Sequence, residues 1–596
     1  MHTGGNYDID DAYMDRADKN KVGTVEIEDL RVIPVIFLPG VMGSNLMDKK
    51  GKSIWRYDDS MSLMGWSLPT SGPKERKRLL HPDRVEVDNR GRIPAPPDAQ
   101  EKLIQLGQQY PEDPSDKEAM DNYTQAVRDI LDNIEPEAKL FGSRKDRGWG
   151  EVANASYGSF LDVLQTALYR DKPTKKGETL SATYQQLLDV PLGLEYGPDS
   201  LDEEYLEVIR LYQFPVHVVG YNWLGSNMLS AIRLQEQIKK IVGGYQKRGM
   251  KCHKVILVTH SMGGLVARYF SECLSGNTDV YGIVHGVLPS IGAAATYTRM
   301  KRGTENPESN PEGYVISHIL GRNAAEMVAV FSQSPGPMEL LPMNDYGEEW
   351  LNIVDRDGST LTLPKNLPIK EGIAPEERTY AELYLNRENW WKLVDENLLN
   401  PFNTSLNQKQ IDTDWNIYEN LITESVNPFH KQIAGKYHIN TYSFYGRAKL
   451  GDIPEAHLTQ ENVLWKGSLS MGKKSDISLE PKFIDGRLDL NEVGNIRTIK
   501  DEFSPEEQAW EINTDDGDTY VKIGQRFTLR DSCENGDGTV PLRAGQIVHK
   551  NILERLAVQV SHEAAYRNPV SQAFALRSII KIAQEVKKDG KMSYSD

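Results

Sequence analysis

Six short runs of branched and aromatic residues limit how this chain can fold more than any other feature. They are VIPVIFL (32–38), FPVHVVG (214–220), KVILV (254–258), VYGIVHGVL (280–288), INTYSFYG (439–446) and LAVQV (556–560). Most lack the apolar–polar alternation of a sheet with one wet face, so they read as strands covered on both sides. Helical patterns lie between several of them, among them MLSAIRLQEQIKKIVGGYQ (228–246) and GLVARYFSECL (264–274). Strands alternating with helices predict an α/β fold with a mostly parallel sheet.

The spacing of the runs is uneven. About 175 residues separate the first two and about 150 the fourth and fifth, whereas a single strand–helix connection needs one helix and roughly 2–6 loop residues. Large insertions must therefore interrupt one sheet. The expected division is a core of 31–50, 206–299, 438–450 and 525–596, a first insertion at 51–205, a cap or lid insertion at 300–437 and a smaller insertion at 451–524. A polar segment, 1–30, precedes them. Within the cap, NRENWWKLVDENLLNPFN (386–403) reads as an amphipathic helix.

Composition excludes several functions. With 69 Lys and Arg against 86 Asp and Glu, the formal charge is −17, which disfavours nucleic acid and gives no general attraction to anionic membranes. The basic run KERKR (74–78) reads as a solvated face. Three cysteines, Cys252, Cys273 and Cys533, form no CxxC pair and no metal-ligand spacing. The acidic string NTDDGDT (513–519) lacks the EF-hand spacing and reads as a solvated turn. No metal or organic cofactor is expected. The polar, acidic start is not a cleaved signal, and no run reaches the ~18 apolar residues of a membrane span, so the expectation is a soluble chain made in the cytoplasm.

The stretch KVILVTHSMGGLVARYF (254–270) puts a serine between a strand and a helix with only Thr259 to Gly263 to turn the chain. On such a turn the hydroxyl is lifted clear at the strand's end, and small neighbours are needed to avoid collision. Gly263 and Gly264 supply that clearance. Thr259 stands where the G-x-S-x-G pattern has its first glycine. The helix start behind Ser261 aims N–H groups at developing negative charge, and the Met262 N–H serves as half of an oxyanion hole.

A serine nucleophile needs a base and the base an orienting carboxylate, which in α/β-hydrolases follow in the order Ser, Asp, His. CENGDGTVPLRAG (533–545) presents Asp537 between glycines, a poor candidate for burial but a good one for a strand-end loop. AVQVSHEAAYRNP (557–569) places His562 directly after a strand, whereas His549 precedes it and reads as structural. His260 reads as a packing residue. Ser261, Asp537 and His562 are the expected triad. The second oxyanion donor belongs in VIFLPGVMGSNL (35–46), where Val41 N–H follows a strand ending in Pro39 and Gly40.

With these residues assembled, the chain resembles the lipase branch related to lecithin:cholesterol acyltransferase, lysosomal phospholipase and GPI-inositol deacylases. The matching strings are VIFLPGVMGSNL, FPVHVVGYNWLGSN, VTHSMGGLVARYF, YSFYG, GDGTVPLRA and VSHEAAYRNP. Two strings depart. Asn222 replaces the family's aspartate beside Trp223, and HGVLPSIGAAATY (285–297) replaces a Gly-Thr-Pro-His-type string. The insertions and the latter string look most like bacterial lipase effectors of type VI secretion. That resemblance implies delivery into a neighbouring cell, attack on membrane phospholipid, a cognate immunity protein and a secretion-spike partner.

A lipase must shield its acyl pocket in water. MSLMGWSLP (61–69) and NWWKLV (389–394) suit an interfacial lid, or equally the insertion's own core. The expected activity is hydrolysis of a fatty-acyl ester. An acyltransferase, a protease or thioesterase, and an inactive hydrolase fold that only binds are the alternatives.

Overall fold

The computed structural model describes residues 30–56, 72–94, 102–304, 321–364, 374–449 and 453–593, apart from short gaps within these stretches and most of 474–508. Each of the six apolar runs contributes a strand: β1 (Val35–Leu38), β2 (Val216–Val218), β3 (Val255–His260), β4 (Val280–Gly286), β5 (Thr441–Gly446) and β6 (Ile552–Val558). They form one sheet in the order β6–β5–β4–β3–β1–β2, with every neighbouring pair parallel.

The missing alternation follows from burial on both faces. Val35 and Phe37 of β1 and Ile256 and Val258 of β3 join one core. Helix α1 (Asn154–Tyr169) gives it Phe160 and Leu164, and helix α4 (Pro569–Ala583) gives it Phe574 and Ile579. Ile36, Leu38, Val255 and Leu257 point the other way, into a core with Leu234 of α2 (Asn227–Lys247) and Leu265 and Phe270 of α3 (Gly263–Cys273). Each such side chain contributes about 1.5–3 kcal/mol on full burial, so both faces are built mainly from apolar side chains. The Ser226 hydroxyl starts α2 by accepting from Met228 N–H at 3.1 Å. Asn568, ahead of Pro569, starts α4 by accepting from Val570 N–H at 2.8 Å.

β6 begins four residues earlier than its apolar run. Glu554 lies before that run in the sequence and keeps it from starting earlier, but it is 1 % exposed, its carboxylate meeting Arg577 Nε at 3.2 Å and the Lys581 ammonium. A buried ion pair occupies an apolar phase there, which a hydrophobicity pattern cannot register.

A second, five-stranded sheet was not legible in the sequence. Its order is Ala509–Thr514, Gly517–Leu529, Val463–Lys473, Leu351–Val354, Thr360–Leu363. Segments lying before and after β5 in the chain thus pair in one sheet, Val463–Lys466 running parallel to Leu351–Val354. Of the acidic string 513–519, Asn513 pairs with Asp518 and Thr514 with Gly517 between the first two of these strands.

Two readings are corrected. NRENWWKLV forms turns, with only a single 3₁₀ turn at Glu396–Leu398 following it. Its carbonyls go to ammonium groups instead of helix N–H groups: Lys301 Nζ donates to Trp390 O and Lys392 O, and Lys392 Nζ to Arg387 O. Trp390 and Trp391 are buried, and Trp390 stacks on Phe527 with ring centroids 4.6 Å apart. NWWKLV is therefore core packing between the second sheet and its surroundings. KERKR is not a solvated face throughout: it lies in helix Pro73–Leu79, where Arg76 is fully buried 3.5 Å from Glu326. MSLMGWSLP lies outside the described residues.

Candidate active site

β3 ends at His260 and α3 begins at Gly263, so Ser261 and Met262 alone turn the chain. Ser261 sits at φ 51°, a left-handed conformation costing an L-residue about 1–2 kcal/mol. Its neighbours hold it there. Ser261 N–H donates to Gly286 O at 2.9 Å, and Ser261 O accepts from Gly264 N–H at 2.9 Å. A Cβ on Gly263 would lie 2.4 Å from Pro39 O and 2.8 Å from Leu38 O, so only glycine lets α3 start against the end of β1. Thr259 has its own reason to replace glycine. Its hydroxyl hydrogen-bonds His285 Nδ1 at 2.8 Å inside the core, while its carbonyl accepts from the Tyr566 hydroxyl at 2.9 Å. Burial holds the His285 ring down at about 3, so it stays neutral.

The chain brings the three predicted residues together at the carboxyl ends of the strands. His562 Nε2 lies 2.8 Å from Ser261 Oγ, and His562 Nδ1 lies 2.8 Å from Asp537 Oδ2. Asp537 is 1 % exposed, which corrects the expectation that it would avoid burial. Its other oxygen accepts from Thr539 N–H at 2.9 Å and Val540 N–H at 2.6 Å, so both oxygens of the desolvated carboxylate have donors. Gly446, the last residue of β5, lets this loop in, since a Cβ there would stand 2.3 Å from that of Asp537. A hydroxyl, an imidazole and a buried carboxylate in series can pass a proton from oxygen to ring while the carboxylate fixes the ring's tautomer. His549 lies elsewhere, its ring 5.0 Å from that of Tyr437.

The loop after β1 packs directly against the elbow. A Cβ on Gly40 would come within 3.0 Å of Ser261 Cβ and 2.8 Å of His260 Nδ1, and Met42 adopts φ 65°. Among the described residues, neither Val41 N–H nor Met262 N–H has a hydrogen-bond acceptor. Both donors therefore remain open beside Ser261.

Asn222, in the aspartate's place, sends its amide N–H groups to Pro82 O at 2.7 Å and Val85 O at 3.2 Å. Two carbonyls face it, and a carboxylate could donate to neither. Sequence reasoning missed Tyr157, whose hydroxyl reaches both Gly40 N–H and His260. No pattern in the sequence points from position 157 to a serine more than 100 residues away.

A parallel sheet crossed by helices, with a serine on a strand–helix elbow, defines an α/β-hydrolase, and residues 223–285 match the family model of the PGAP1-like alpha/beta domain. The fold is also similar to a chain in the crystal structure of the Tle4–Tli4 complex. That similarity has a TM-score of 0.64 and 26% sequence identity, over 93% of this chain and 99% of that one. No curated protein matches the sequence.

Proposed function

We propose that this protein is a serine lipase that hydrolyses a fatty-acyl ester of membrane glycerophospholipid. The observation that carries this reading is the unbroken series Asp537–His562–Ser261, with 2.8 Å at each hydrogen bond. Ser261 Oγ attacks the ester carbonyl as its proton passes to His562 Nε2, and Asp537 stabilises the resulting imidazolium through Nδ1–H. The oxyanion accepts from Val41 N–H and Met262 N–H, each such donor contributing about 3 kcal/mol of transition-state stabilisation. His562 then returns the proton to the departing alcohol, a lysophospholipid. Water attacks the acyl-enzyme by the same route, so the fatty acid leaves and Ser261 regains its hydrogen.

The phospholipid substrate and the setting come from similarity. The likeness to a chain of the Tle4–Tli4 complex supports a type VI secretion effector acting as an antibacterial toxin in a target cell, with a cognate immunity protein and a secretion-spike partner in the producer. Segments 31–50, 206–299, 438–450 and 525–596 supply the catalytic core, and 300–437 caps it. Among the described residues no helix is long and apolar enough to cross a membrane.

Purified protein should release fatty acid from phospholipid vesicles, and Ser261→Ala should lose about 10⁴-fold or more of that rate with its fold intact. If neither protein released fatty acid, even with detergent or an added acceptor alcohol, the lipase reading would be wrong. Acyl transfer to the added alcohol in place of hydrolysis would make the enzyme an acyltransferase.

A further inference from the structure

We infer that Tyr157 and His260 are positioning residues that tie the loop bearing Val41 to the loop bearing His562, so that oxyanion donor and base are held as one unit. The inference rests on the reading of Ser261, Asp537 and His562 given above. Gly40 N–H donates to the Tyr157 hydroxyl at 3.1 Å, that hydroxyl lies 3.0 Å from His260 Nδ1, and His260 Nε2 lies 2.9 Å from His562 O. The hydrogens can be assigned from the ends inward. The His562 carbonyl only accepts, so His260 carries its proton on Nε2. Nδ1 then accepts, so the Tyr157 hydroxyl donates to it and keeps its oxygen lone pairs for Gly40 N–H.

Three bonds thus join four positions lying 117, 103 and 302 residues apart in sequence. Gly40 immediately precedes the open Val41 N–H, and the far end is the backbone of the base itself. His260 cannot compete for the serine's proton. It is 4 % exposed, and burial together with neighbouring His562 holds it down at about 3, so the ring stays neutral and the chain of donors keeps one direction. The ring of Tyr157 is seated independently of its hydroxyl, 5.0 Å from Phe37 and 5.5 Å from His260 between ring centroids. Tyr157→Phe therefore removes the link and leaves the packing.

Two rates test this on the full chain. One is phosphonylation of Ser261 by a fluorophosphonate, in which the Oγ–P bond forms as fluoride leaves and the hydroxyl proton passes to His562. The other is kcat and KM on a soluble short-chain ester. Tyr157→Phe should lower both the phosphonylation rate and kcat about 10- to 100-fold, with KM within about twofold, and the loss should persist at temperatures well below the variant's melting transition. His260→Gln, whose amide N–H can still donate to His562 O, should recover part of what His260→Leu loses.

Tyr157→Phe within twofold of the parent, beside an unreactive Ser261→Ala, would overturn the positioning role and leave the triad standing. A loss that matches a fall in melting temperature and disappears on cooling would overturn it as well, reducing Tyr157 to a structural residue. A parent that never reacts with the fluorophosphonate would overturn the triad reading and this inference together.

Discussion

Thr259 shows how one residue carries two demands. The elbow pattern asks for glycine at that position, yet the structure uses the threonine hydroxyl to bond His285 Nδ1 at 2.8 Å in a wholly buried site. Thr259→Gly would leave that ring nitrogen unpaired and loosen the strand end. It should lower stability by about 1–3 kcal/mol, read as a drop in the urea midpoint; an unchanged midpoint would show that the bond contributes nothing. Asn222 follows the same logic, since two carbonyls decide for an amide over a carboxylate. Neither choice was legible in the sequence, because the partners, at 285 and at 82 and 85, are brought in by other elements.

Among the elements, β6 departs furthest from what its sequence promised. Its pattern alternates because it is an edge strand, and one inward position is Glu554. That carboxylate is shared by Arg577 and Lys581 on α4, and Arg577 also donates to Pro198 O at 2.6 Å and Ser200 O at 3.0 Å. The ion cluster therefore joins the strand, the last long helix and the segment leading to β2. Removing one partner of a buried pair leaves uncompensated charge, so Glu554→Ala should cost about 3–5 kcal/mol in a denaturation titration. A cost under 1 kcal/mol would mean that water reaches Arg577 in the variant. The six apolar runs themselves were legible because burial on both faces writes itself into composition. NWWKLV was not: an amphipathic pattern is equally compatible with a helix on a surface and with two tryptophans turned into a core.

At the scale of the molecule, five buried histidines, His217, His260, His285, His430 and His438, are held by burial below their usual value: to about 3 for His260 and His285, about 4 for His430, well down for His217, and down for His438. Between those values and about 6.5 the unfolded chain binds protons that the fold refuses. Stability is therefore fully present above about pH 6.5 and falls as pH drops, by up to about 1.4 kcal/mol per pH unit for each ring. Glu339 opposes this: burial pushes its carboxyl up to about 8, so its contribution is complete below the usual carboxylate range and is lost as pH rises through 8. Burial raises the Glu151 carboxyl as well, so with two carboxyls against five rings, urea midpoints should fall steadily from pH 6.5 to pH 4.5. A flat or rising midpoint over that interval would contradict the buried neutral rings.

The sequence by itself determined the parallel α/β sheet and the order of the groups now found around Ser261. Both depend on short-range signals: apolar runs with no wet face, glycines where backbones touch, and a histidine directly after a strand. Tertiary structure alone decided the rest. The second sheet is built from segments on either side of β5, Asp537 is buried because two N–H groups and a ring meet it, and Tyr157 reaches His260 from a helix 103 residues earlier. Each of these is a contact between parts of the chain whose distance in sequence carries no information about their distance in space.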